Sequence, residues 1–277
     1  MKALVIGYGR AGQRHGRLLT KAGLEWGYTD PNIALTKPSP DEVFMSPDLD
    51  LLLSINYYDI AIICTPPHLH LEQIRQCLDA GLWVMVEKPL AAFRQLDEAR
   101  ELLKHPNIHK AMPALNYRWH PILAPFLSPD GKDGEERWEF FSYQHRPELP
   151  GWGLPLDHLP HTLDMLLAMA GKSQIEIHTV VLGNNDQKQW VYVCGSVGNP
   201  FYIIDQVTNE SVEKVAHIKG PWGQVDVDTS PELADKMFDW MYADFLAVVR
   251  GELDEFPVGM AQAVKVQELL ENVYDKL

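Results

Sequence analysis

Cysteine is scarce in this chain of 277 residues. Cys64, Cys77 and Cys194 are scattered, and no two stand in C-x-x-C spacing. That pattern excludes a disulfide framework and a cysteine zinc site, and it reads as reduced thiols in the cytoplasm. Long apolar runs are also missing: none approaches the ~18 residues of a membrane span. Met1-Lys2 leads straight into a short apolar strand, which predicts no signal peptide. Basic residues are outnumbered, with 24 Lys and Arg against 38 Asp and Glu and a net charge of −14. That balance argues against nucleic-acid binding. Internal repeats and low-complexity segments are absent. What remains is a chain with 46% hydrophobic residues, enough for one large core or two modest ones.

The most informative stretch is Gly7-Tyr8-Gly9-Arg10-Ala11-Gly12. It follows the apolar run Ala3–Ile6, read as a buried strand, and precedes a predicted helix over Gln13–Ala22. Strand, G-x-G-x-x-G and helix in that order cradle a dinucleotide pyrophosphate. Gly7 permits the tight turn, Gly9 lets backbone approach phosphate, and Gly12 lets helix and strand touch. The helix N-terminus offers N–H groups and partial positive charge. The next strand-like run, Leu24–Thr29, leads to Asp30, which stands 18 positions after Gly12. That is where a ribose-binding carboxylate belongs. Its charge opposes a 2′-phosphate, which predicts NAD over NADP; Arg10 nearby keeps NADP open. Arg10, Arg14, His15 and Arg17 read as a basic spot beside the turn, suited to a phosphate ligand or to an ordinary solvated helix face.

Strands and helices alternate through the first part. Strands are predicted at Ile60–Cys64, Trp83–Val86 and Ala111–Leu115, with helices at Leu49–Ile55, Leu69–Ala80 and Gln95–Leu103. This pattern implies a doubly wound parallel sheet, the Rossmann arrangement. Pro38-Ser39-Pro40 reads as a loop. After Asn116, longer β-like runs follow at Glu136–Gln144, Ile175–Leu182, Gln189–Val197, Phe201–Val207 and Val212–Ile218. Turn clusters such as Gly183–Asp186 and Gly198–Pro200 separate several of them. They imply an open antiparallel sheet with helices at His158–Ala170, Glu232–Arg250 and Gly259–Tyr274. The predicted fold class is therefore α/β plus α+β. The predicted domains are a dinucleotide-binding domain, 1–116, and a substrate-binding and oligomerisation domain, 117–277. A site between two such domains can hold cofactor on one side and substrate on the other.

Three further constellations carry candidate chemistry. Cys64-Thr65-Pro66-Pro67-His68-Leu69-His70 ends the third core strand, at the edge where ligands of such sheets bind. His68 and His70 lack a nearby third ligand, so no metal is expected. Glu87-Lys88-Pro89 ends the fourth core strand. A lysine there can meet a hydroxyl or carbonyl and hold charge during hydride transfer. Asp157, His161 and Asp164 share one side of a predicted helix, which Asp157 caps if it opens it. A carboxylate beside an imidazole fixes its tautomer and readies it for proton exchange. From spacing alone, a capped helix with a satisfied, partly buried histidine is the slightly preferred reading.

The order of these pieces resembles the glucose–fructose oxidoreductase/inositol dehydrogenase/rhizopine-catabolism (Gfo/Idh/MocA) family. The resemblance runs through the glycine turn with Arg14-His15, Thr65–His70, Gly81–Leu90, Asn116-Tyr117-Arg118-Trp119-His120-Pro121, the D-x-x-x-H-x-x-D pattern and Phe256-Pro257-Val258. The chain has Leu159-Pro160 where the family commonly has Gly-Ser before the histidine. The resemblance implies an NAD(P)-dependent oxidoreductase of sugars, polyols or related compounds. It implies Lys88 as the catalytic lysine and His161 as acid/base, assisted by Asp157. Thr65, Pro66 and His70 would lie along the nicotinamide half, with Glu87 counted among the cofactor-binding positions. Arg118 and His120 would contact substrate. A silent NAD(P)-binding regulator and an NAD-assisted lyase or hydrolase remain as alternatives. Apolar residues at both parities of Trp190–Val193 and Phe201–Ile204 predict a homodimer or homotetramer through the second sheet.

Overall fold

The computed structural model describes residues 1–31, 42–121, 138–145, 153–170, 174–184, 188–197, 199–208, 215–220, 223–227 and 230–277. The Pro38–Pro40 loop, Glu136, residues 185, 186 and 198 of the turn clusters, the start of the Val212–Ile218 run and the Asp157 side chain lie outside the described residues. The chain divides into two compact units, Met1–Leu115 with Phe238–Val264, and Asn116–Met237 with Lys265–Leu277.

The first unit opens with β1 (Lys2–Ile6), α1 (Arg10–Lys21), β2 (Glu25–Thr29), β3 (Glu42–Met45) and α2 (Leu49–Ser54). It continues with β4 (Ile60–Ile63), α3 (Pro67–Asp79), β5 (Trp83–Val86), α4 (Leu96–Leu102) and β6 (Ala111–Pro113). The six strands pair in parallel, in the order β3-β2-β1-β4-β5-β6. The sequence of strands reverses its direction of growth between β1 and β4, and such a switch point opens a ligand crevice at the carboxyl ends. Ile60–Ile63 is apolar and buried throughout because helices cover both faces of a parallel sheet. One core gathers Leu4, Ile6, Ala61, Ile63, Val84 and Val86 with Leu71, Ile74 and Leu78 of α3. Gly16 of α1 lies where a Cβ would stand 2.6 Å from the Trp26 ring, so the helix seats directly on β2.

The second unit holds β7 (Trp138–His145), α5 (Gly153–Ala170), β8 (Glu176–Asn184), β9 (Lys188–Val197), β10 (Asn199–Thr208), β11 (Val215–Gly220) and β12 (Gly223–Val227). Their order is β12-β11-β7-β10-β9-β8. Successive strands joined by short turns are antiparallel, as expected. The pair β7·β10 is parallel, because α5, β8 and β9 intervene between those strands and return the chain in the same direction. Val191, Val193, Phe201 and Ile203 are buried on one face, while Tyr192, Tyr202 and Ile204 on the other are half-buried.

Helices α6 (Pro231–Val249) and α7 (Met260–Tyr274) close the chain. The first unit's N-terminal stretch ends at Leu115, and the closing helices are shared: Phe238–Val264 joins the first unit. The reason is apolar packing, since Met260, Ala263 and Val264 belong to the same core as Leu71 and Ile74.

Candidate functional site

The carboxyl ends of the parallel strands form a stepped ledge. Gly7 N–H donates to Thr29 at 2.8 Å, Cys64 N–H to Ile6 at 2.7 Å, and Glu87 N–H to Ile63 at 2.9 Å. These bonds set Asp30, the glycine turn, Thr65 and Lys88 side by side along one edge. Two glycines make the turn possible. Gly7 has φ +87°, and a Cβ there would meet the Cys64 and Thr65 backbone at 2.9 Å. A Cβ on Gly12 would run into the Gly7 carbonyl and approach Val5 Cγ1 to 3.3 Å. Gly9 differs: nothing lies within 4 Å of its missing Cβ.

The ledge fits a dinucleotide. Gly9 is the N-cap of α1, and no side chain bonds that helix end. No acidic residue stands in the first turn. The exposed Gly9 and the uncapped N–H groups suit pyrophosphate. Asp30 Oδ2 accepts the Tyr8 N–H at 2.8 Å, so the predicted ribose carboxylate also braces the glycine turn. Arg10 is exposed beside the turn, as expected. Arg14 lies over the Phe238 ring at 4.9 Å.

His15 departs from the basic-spot reading, because it is fully buried. Its Nδ1 lies 2.7 Å from the Tyr242 hydroxyl and its Nε2 lies 3.1 Å from Glu87 Oε1. The other Glu87 oxygen accepts the backbone N–H of Lys88 at 3.2 Å. Burial pushes the Glu87 carboxyl up, but the adjacent His15 ring, Lys88 and Arg14 outweigh it and hold the carboxyl at about 2. Glu87 is thus bound inward, and Lys88 is half-buried at the ledge.

Thr65 Oγ1 donates to Gln73 Oε1 at 2.5 Å. Pro66 and Pro67 open α3 without a side-chain cap. His70 does not present a nitrogen to the ledge. Its Nε2 faces the Thr65 carbonyl at 2.7 Å and its Nδ1 the Pro89 carbonyl at 3.0 Å, so the ring ties the two ledge loops together. Burial lowers its pKa, partly offset by those carbonyls.

The second unit carries its own cluster. The short turn Asn116–Trp119 lies against α5. Arg118 forks onto Asp164, Nε to Oδ2 and Nη2 to Oδ1, both at 2.7 Å, and Asp164 is fully buried. Asp164 therefore serves Arg118, and Arg118 braces the turn. The Tyr117 ring lies 4.9 Å from that of His161 and 5.7 Å from that of His158. His161 and His120 are buried. Helix α5 begins at Gly153, so Asp157 lies four residues inside it and is not its cap. Pro160 sits within the same helix and donates no bond to the Leu156 carbonyl. Two residues of interest escaped the sequence reading: Tyr242, for which local spacing gives no signal, and His15 as a buried partner, for which only its motif position hinted.

Residues 1–117 match the family model described as "Oxidoreductase family, NAD-binding Rossmann fold". Among solved structures, the chain is similar to a myo-inositol dehydrogenase from Corynebacterium glutamicum, with 18% identity and TM-score 0.76, covering 100% of this chain and 96% of that one. A myo-inositol dehydrogenase from Lactobacillus casei in complex with NAD(H) and myo-inositol gives 14% identity and TM-score 0.78, covering 100% and 94%. The WlbA (WbpB) dehydrogenase from Thermus thermophilus in complex with NAD and alpha-ketoglutarate gives 19% identity and TM-score 0.71, covering 99% and 94%. No curated protein matches by sequence. Among the described residues, no helix is long and apolar enough to cross a membrane.

Proposed function

We propose that the chain is an oxidoreductase of the Gfo/Idh/MocA type, a reading supported by the match of residues 1–117 to that family's NAD-binding Rossmann fold. From that premise we propose that it transfers hydride between nicotinamide and a carbinol carbon of a sugar, polyol or related small molecule. The observation that carries this reading is Lys88 at the carboxyl end of β5, its backbone held by an ionised Glu87, on the ledge that bears the glycine cradle. Gly7, Gly9, Arg10, Ala11 and Gly12 hold the pyrophosphate, and Asp30 the ribose. Thr65 and Pro66 flank the nicotinamide half. NAD, when bound, supplies the hydride acceptor. Lys88 stabilises the developing oxyanion on the substrate, while His161 takes the hydroxyl proton and Asp157 orients the imidazole. His120 is a substrate contact in this reading; Arg118 acts through its brace with Asp164.

The two myo-inositol dehydrogenases among the similar structures make polyols the first substrates to try. The test is a panel of polyols and sugars with NAD and NADP, followed by the absorbance of reduced nicotinamide. Substrate-dependent reduction supports the reading. Substrate loss without reduced cofactor points instead to an NAD-assisted lyase or hydrolase.

Self-association through the second sheet belongs to the same reading. Its outer face carries half-buried Tyr192, Tyr202 and Ile204 and an exposed Val181, more apolar surface than water favours. Light scattering at micromolar concentration is expected to give a dimer or tetramer; a single 31.5 kDa species would contradict it. The three free thiols fit the cytoplasm as the compartment.

A further inference from the structure

We propose that Tyr242, His15 and Glu87 form one buried polar chain that positions Lys88, with His15 and Tyr242 as positioning residues for the hydride-transfer reaction. The inference rests on the reading of Lys88 given above, and it adds two residues to that reading.

The three side chains come from α6, α1 and the end of β5. Tyr242 and His15 are buried, and the Glu87 side chain is 12% exposed. Hydrogen bonds link them end to end: the Tyr242 hydroxyl pairs with His15 Nδ1 (2.7 Å), His15 Nε2–H donates to Glu87 Oε1 (3.1 Å), and Glu87 Oε2 accepts the Lys88 N–H (3.2 Å). Both imidazole nitrogens are engaged, so the ring has one orientation, and the carboxylate of the chain lies at the end nearest Lys88.

Several groups face Glu87. They are Arg14 and His15 from α1, Cys64 at the end of β4, His70 from α3, Lys88 itself, and Tyr242 from α6. Burial, then Cys64 and Glu87, push the Tyr242 phenol up, which keeps it a donor. Burial and Glu87 push the Cys64 thiol up against Arg14, which keeps it neutral. Of these three acidic groups, Glu87 alone is held ionised.

The pH-linked stability that comes from an ionised Glu87 does not by itself account for the whole arrangement. A buried polar trio costs desolvation that apolar side chains of the same volume avoid. Two features of position point to function. The chain ends on the backbone of Lys88, and its middle member rides on α1, the helix that begins at the phosphate cradle. His15 therefore ties the seat of the cofactor to the seat of the lysine. The Phe238 ring, edge-on to His15 at 6.0 Å, closes the remaining side.

The test uses the full chain with His15→Leu and Tyr242→Phe. Glutamate labelled at the side-chain carboxyl carbon is followed by carbon-13 NMR, with the Glu87 signal assigned through Glu87→Gln. In the unaltered protein Glu87 stays ionised through the acid range. In His15→Leu its titration is expected to move up by about 1–3 pH units. In Tyr242→Phe, which removes one hydroxyl and nothing else, it moves up by less. The acid limb of the kcat profile is expected to move with it, with kcat at acid pH down about tenfold and the Kd for NADH changed less than about twofold. Unchanged Glu87 titration in His15→Leu overturns the proposal, as does a shifted titration with an unshifted kcat profile. Should His15→Leu fail to fold by near-ultraviolet circular dichroism, Tyr242→Phe decides by the same two readouts. If the unaltered protein turns over no substrate, the reading of Lys88 fails and the positioning role with it. The NMR arm then still shows whether the polar chain holds Glu87 ionised, so the two failures are distinct.

Discussion

Replacing glycines of the first turn one at a time separates folding from cofactor binding. The structure sets the two effects apart by position. Gly9→Ala places a methyl where no atom lies within 4 Å, at φ −71° and ψ −162°, a conformation alanine adopts freely. Loss of glycine from the N-cap costs below about 1 kcal/mol. The methyl nevertheless stands where phosphate must approach the helix end. Loss of one charge-assisted hydrogen bond, about 1.5–3 kcal/mol, weakens NADH binding about 10- to 100-fold. Gly12→Ala behaves otherwise, because its methyl would overlap the Gly7 carbonyl and crowd Val5. That overpacking costs about 1–3 kcal/mol, and each kcal/mol lowers Tm by about 2–4 °C in a chain of this size. Thermal unfolding and NADH fluorescence titration on both variants give the comparison. Gly9→Ala is expected to keep its Tm and lose binding, and Gly12→Ala to lose both. A Gly9→Ala protein that binds NADH as tightly as the unaltered chain would refute the cradle.

Asp30→Asn keeps an acceptor for the Tyr8 N–H and removes the charge, so it is expected to narrow the preference for NADH over NADPH in fluorescence titrations. An unchanged ratio would leave Asp30 as a brace of the turn only. Glu87 has a folded pKa of about 2 against an ordinary 4.5, a depressed value. It therefore contributes ~3 kcal/mol that is fully present above the ordinary value and is lost as pH falls toward 2. Urea unfolding should show Glu87→Gln less stable at neutral pH, with the gap closing as the acid range is entered; a gap independent of pH would contradict the assignment.

The Rossmann half was legible because its signals are local. The strand Ala3–Ile6, the glycine turn and Asp30 lie within thirty residues, and the structure sets them on one ledge. The short strand Glu42–Met45 escaped because four residues of mixed character leave no periodicity to read. The parallel β7·β10 pair escaped because turn chemistry speaks only for strands adjacent in sequence. Partners were the least legible. His15 reads as one more basic residue on a helix, and nothing near it announces Glu87, 72 positions away, or Tyr242, 227 away. Spacing puts Asp164 on one helix side with His161, but it does not announce Arg118, 46 residues earlier on a separate turn, whose guanidinium forks onto it. Spacing tells which residues share a helix face; it does not tell which neighbour from elsewhere meets them.

The central claim is that Lys88 and His161 carry the proton and charge chemistry of one hydride transfer. The measurement is turnover of a polyol with NAD, beside NADH affinity, in Lys88→Ala, His161→Ala and Asp157→Asn. Positioned acid–base groups contribute ~10²–10⁴-fold in rate, so the two alanine variants are expected to lose kcat on that order with NADH affinity nearly unchanged. Asp157→Asn is expected to lose less, since the imidazole base remains. Turnover in either alanine variant within about threefold of the unaltered chain would contradict the account.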